Sequence, residues 1–227
     1  MSSGGDPGRY QDETDRRRGM SRMTSQPTTT THPDLHAATD AVARLVAGVE
    51  DEHLGGRTPC PDYSVAALLD HLMGLCIAFT CAARKEPMPA GGGESQPGEA
   101  TGDHLDPAWR ERLPERLQEL AKAWDDPVAW EGECTAGGVT MPGAVMGVVA
   151  LDEVAVHGWD LARATGQDYR LDEATTAAVL AFTAESATPD SAEERAGIFG
   201  PVVEVPADAP AWDRALGFAG RDPGWRP

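Results

Sequence analysis

Residues 142–165, PGAVMGVVALDEVAVHGWDLARAT, decide the fold. Pro142 stands where a first-turn proline is welcome, and Gly166 stands where a left-handed helix cap belongs. The 24 residues between these signals span roughly 36 Å as a helix, at ~1.5 Å each. Met146, Val149, Ala150 and Leu161 recur at helical spacing, so one face is apolar and points inward. Glu153 and His157 lie on that face four residues apart, which stacks them one turn above another. A buried ionised carboxylate is costly unless it is paired or bound to a cation. No Lys or Arg occurs between Pro142 and Leu161. A metal ion would remove the cost. On spacing alone, however, E-x-x-x-H is more often a surface pair or a hydrogen-bonded core pair.

The chain before this helix offers a partner. Residues 58–72, TPCPDYSVAALLDHL, run from a loop fixed by two prolines into a helix capped by Ser64 and continuing to Arg84. Its core face comprises Val65, Leu68, Leu69, Leu72, Cys76 and Phe79, with His71 among them. His71 is either a hydrogen-bonded core histidine or a third ligand from a second helix, an arrangement common in bundles. Three protein ligands leave a coordination position open for water or a thiol. Asp160, three residues after His157, is positioned to orient that histidine.

Further helices are predicted over 34–49, 107–124 with a kink at Pro114, 172–186 and a short one near 210–219. Residues 128–141 read as a short extended or hairpin segment, and 85–104 as a flexible connector or a lid. Residues 1–31 lack periodicity and read as a disordered tail, with Met20 and Met23 as alternative starts. The expected organisation is a helical domain over 32–190 and an extension over 191–227 packed on it. Aromatic residues make up only 6%, so the core rests on Ala, Val and Leu, which favours an all-α fold.

Nineteen basic and 37 acidic side chains give a formal charge of −18, which disfavours nucleic acid and anionic lipid as partners. No apolar run is read as approaching the ~20 residues of a membrane span, and no apolar segment of a secretory signal is present. The expected location is cytoplasmic. Cys60, Cys76, Cys81 and Cys134 show no paired spacing and read as reduced packing residues, with a reactive Cys60 as the alternative. His32, His36, His53 and His104 are expected in solvent. Arg163, Arg195 and Arg214 are candidates to bind an anionic substrate or thiol, with structural roles as the alternative. Trp159 is a candidate substrate platform or a packing residue.

Residues 58–72 and 153–166 (EVAVHGWDLARATG) resemble the two signature segments of the mycothiol-dependent maleylpyruvate isomerase N-terminal domain family, within the wider DinB-like superfamily. Residues 199–225, FGPVVEVPADAPAWDRALGFAGRDPGW, resemble a short-tailed, metal-binding subgroup. The resemblance implies an up-down four-helix bundle with a divalent metal, usually zinc, held by His71, Glu153 and His157. It implies mycothiol as co-substrate and an isomerase or thiol transferase acting on a small electrophile, as a monomer or homodimer. A non-catalytic stress or detoxification protein that binds metal is the second expectation. The isomerases carry a longer C-terminal domain, so substrate contacts from it do not transfer, and maleylpyruvate itself is in doubt.

Overall fold

The computed structural model describes residues 32–89, 102–188, 195 and 199–227, with residue 1. The expected disordered tail and most of the 85–104 connector lie outside the described residues. The longest helices are α1 (His36–Val46), α2 (Val65–Arg84), α3 (Trp109–Trp124) and α4 (Gly143–Ala164). α5 (Glu173–Glu185) and α6 (Ala211–Phe218) follow. α1 and α2 each pack against both α3 and α4, so these four helices enclose one core. Leu68, Leu69, Leu72, Leu113, Leu117, Leu120, Val42, Met146 and Leu151 fill it.

Side-chain caps and a glycine set the helix ends, at Ser64 and Gly166 as expected. The Ser64 hydroxyl accepts from the Ala67 amide at 3.2 Å and starts α2, and Asp172 caps α5 by accepting from Thr175 at 2.7 Å. Gly166 has φ 67°, the left-handed conformation that ends α4. Pro114 lies inside α3 and forfeits one ladder bond, while Leu113 and Leu117 on either side of it are fully buried.

The all-α expectation needs one correction. Strands β1 (Glu133–Ala136) and β2 (Val139–Pro142) form an antiparallel hairpin with Cys134 opposite Met141 and Thr135 opposite Thr140. Gly137 and Gly138 connect them with φ 56° and 79°, a two-residue turn that requires positive φ at both positions. Pro142 therefore ends a strand and caps α4 from outside, instead of forming the helix's first turn.

A second correction concerns α2. By length and composition it is apolar enough to cross a membrane, contrary to the sequence reading. Most of its surface is buried by the other helices, so its uniform apolarity is accounted for by a position in the middle of the core.

Close approach of α4 to its neighbours depends on Gly158. A Cβ there would lie 2.6 Å from both the Tyr169 hydroxyl and Val42 Cγ2. The missing side chain lets α1 and Tyr169 press against α4 beside His157.

Candidate metal centre

Glu153 and His157 project from adjacent turns of α4, and His71 comes from α2, which packs against it. His157 Nε2 lies 3.2 Å from Glu153 Oε2, and His71 Nε2 lies 3.7 Å from the same oxygen. One ligand atom from each residue lies within 4.8 Å of the other two. Nitrogen and oxygen ligands at ~2.0–2.1 Å around a tetrahedral zinc lie about 3.4 Å apart. The two observed separations bracket that value, so the donor set fits a small divalent cation. The histidine side chains are 8% exposed and Glu153 is 20% exposed, so the cluster is closed on the core side and reachable at Glu153.

The outward ring nitrogens are also engaged. His157 Nδ1 is 3.0 Å from Asp160 Oδ2, and His71 Nδ1 is 3.4 Å from the Tyr63 hydroxyl. The tautomer with hydrogen on Nδ1 leaves both Nε2 lone pairs free for a cation. Asp160 is fully buried and accepts from Arg221 Nε at 3.1 Å to Oδ1 and from Nη2 at 3.0 Å to Oδ2.

The electrostatics follow from this packing. Burial opposes ionisation of Glu153, but hydrogen bonds from His157 and His71 outweigh it and hold the carboxyl below its ordinary range. Burial would lower His157, yet Asp160 and then Glu153 push it up to about 9. Burial dominates at His71 and lowers it against the pull of Glu153. Burial opposes ionisation of Asp160, but Arg221 and His157 hold it ionised. Without a metal, the two flanking carboxylates thus favour the protonated form of His157. A cation would replace its Nε2 proton and leave the Asp160 bond in place.

Residues 35–162 match the family model described as mycothiol maleylpyruvate isomerase N-terminal domain. The chain belongs to this family. Two uncharacterized proteins from two strains of Mycobacterium tuberculosis are each 30% identical over 144 residues, covering 60% of this chain and 67% of theirs. The crystal structure of a mycothiol-dependent maleylpyruvate isomerase superposes with a TM-score of 0.52 at 20% identity, over 85% of this chain and 79% of that one. That likeness is one of fold.

In this family member the other candidate residues fall elsewhere. Arg163 Nη2 donates to the Trp225 carbonyl at 2.7 Å, and its guanidinium lies 5.8 Å from the ring centre of buried Trp159. Arg163 thereby ties α4 to the C-terminal tail. Arg195 donates to the Gly200 and Phe218 carbonyls, a structural clasp. Arg214 is half-buried on α6. Cys60 is buried and its thiol is pushed up to about 11 by desolvation, which removes the basis for a reactive Cys60. His36 pairs with Asp125 at 3.1 Å, His53 accepts from the Glu50 amide, and His32 stacks on Trp130 with ring centres 4.3 Å apart. His32 and His53 are half-buried and have these partners, so they are not simply solvated.

Three residues around the ligands escaped sequence reasoning. Tyr63 packs on His71 with ring centres 4.8 Å apart, and its hydroxyl is pushed up to about 12 by burial. Arg221 reaches Asp160 from 61 residues away. Asp152 is buried beside Glu153 with Oδ1 lacking a hydrogen-bond partner among the described residues, and desolvation raises its carboxyl well above the ordinary range. The first two sit in the quoted motif stretches, and the hydrogen-bonding residue types there were the signal available.

Proposed function

We propose that the chain is a divalent-metal- and mycothiol-dependent enzyme, an isomerase or thiol transferase of the maleylpyruvate isomerase type acting on a small electrophile. Its frame is a DinB-like up-down four-helix bundle over residues 32–190, with 191–227 packed on it. The observation that carries the reading is the convergence of His71 Nε2, Glu153 Oε2 and His157 Nε2 on one partly accessible point in a chain of this family. Zn2+ is the cation best suited to two imidazoles, a carboxylate and one open position. When bound, it supplies the positive charge that keeps a coordinated thiol deprotonated at neutral pH.

The protein's residues do the rest. Asp160 keeps the His157 proton on Nδ1, and Arg221 fixes the carboxylate that does so. The Tyr63 hydroxyl takes the equivalent position beside His71. The packed core behind the histidines excludes water on one side, leaving approach on the Glu153 side. The reading places the protein in the cytoplasm, as a monomer or homodimer.

The test is thermal unfolding of zinc-loaded protein with mycothiol. Saturation at about a hundred times Kd stabilises by ~2.7 kcal/mol, which is about 5–10 °C for a chain of this size. The shift should vanish when the metal is removed. An unchanged melting temperature across a saturating range of thiol would rule out the reading.

A further inference from the structure

The loop before α2 does more than deliver His71. Val65 N donates to the Gly56 carbonyl at 3.0 Å, and Arg57 bridges Ser64 as an isolated antiparallel pair. The Thr58 hydroxyl lies 2.8 Å from the Cys60 carbonyl and 2.9 Å from the Tyr63 carbonyl. These bonds pre-shape the loop. With Trp225 it encloses a cleft of about 350 Å3, within the range of small-molecule pockets. Tyr63 lines this cleft and also packs on His71 with ring centres 4.8 Å apart, so the cleft shares a residue with the surroundings of the metal ligands.

The lining indicates what the cleft holds. Arg57 and Asp62 are both exposed, and among the described residues neither side chain has a hydrogen bond or ion pair. Their charges are opposite, so a small dianion attracted by one would meet the other. A neutral, hydroxyl-rich ligand satisfies both, donating to Asp62 and accepting from Arg57. The Ser64 hydroxyl, whose oxygen accepts from Ala67, has its proton left to donate. Tyr63 and Trp225 add aromatic surface, whose electron-rich face suits the C–H face of a sugar ring. Arg163 holds the Trp225 backbone in place.

We propose that this cleft binds the polyhydroxylated head of the thiol co-substrate, with the thiol arm passing Tyr63 towards His71, Glu153 and His157. Mycothiol carries its cysteine on such a head, a glucosamine–inositol unit. The inference rests on the mycothiol-dependent reading above and adds where the head is recognised.

Calorimetric titration of the zinc-loaded full chain tests it, with mycothiol, the thiol-free glucosamine–inositol unit and N-acetylcysteine as separate probes. The sugar unit alone should bind. Asp62→Asn and Trp225→Ala should each weaken mycothiol by about tenfold or more, while N-acetylcysteine binding and zinc content stay unchanged. Arg57→Ala and Asp62→Asn alter exposed side chains, so a loss of binding there is not a loss of fold. Mycothiol affinity within about twofold of the parent in all three variants would overturn the cleft assignment and leave the functional reading intact. No mycothiol binding to the parent would overturn both.

Discussion

Replacing Asp160 by Ala is expected to be among the most damaging single changes in this protein. The carboxylate is fully buried, accepts from two guanidinium nitrogens of Arg221 and holds His157 Nδ1 at 3.0 Å. Arg221 is itself buried, so removing its partner leaves a positive charge in the core with little solvent to screen it. Breaking a buried pair in this way costs about 3–5 kcal/mol, or roughly 6–20 °C in melting temperature. Loss of the His157 contact should also weaken metal binding by about 10–100-fold. Denaturant unfolding and zinc competition with a chelator measure the two effects separately. The double variant Asp160→Ala/Arg221→Met should recover much of the stability, because no charge is left unpaired, but none of the metal affinity. Additive stability losses in that cycle would refute the coupling.

Gly158→Ala should destabilise by about 1–3 kcal/mol in chemical denaturation, because the new methyl meets Tyr169 and Val42 at 2.6 Å; a loss under about 0.5 kcal/mol would mean that α4 and α1 can separate there. Asp152→Asn should stabilise the metal-free chain at neutral pH. Its raised folded pKa means the unfolded state ionises first, so the penalty is absent below the ordinary carboxyl range and grows as pH rises above it. Melting curves from acid to neutral pH should show the gain fading below about pH 4, and a pH-independent gain would contradict the cause given. Cys60 should resist iodoacetamide at pH 7.5 in the folded chain and react on unfolding, since its thiol sits near 11; rapid modification of the native protein would contradict its burial.

Features written in local chemistry were legible in the sequence. Ser64 carries its cap, the i, i+4 spacing put Glu153 and His157 on one face, and Gly166 marked the end of α4. The hairpin lay within the 128–141 segment read as extended or hairpin, but the proline after it was read as helical because Pro142 suits either side of a helix start. What stayed hidden depends on contacts across the chain. No periodicity relates Arg221 to Asp160, and Tyr63 meets His71 because a bonded loop turns it back over the helix. Arg163 was conspicuous on α4, yet its hydrogen bond goes to the tail backbone. The membrane-length apolarity of α2 was overlooked because its core face was read as a stripe, whereas the helix is buried on most sides.

The central claim is that His71, Glu153 and His157 together hold one divalent cation. Elemental analysis of the purified chain and of a His71→Ala/His157→Ala variant, with circular dichroism to confirm retained helix, tests it most directly. The account predicts about one zinc per parent chain and none in the variant. A folded parent without stoichiometric metal, or a variant that keeps it, would contradict the account.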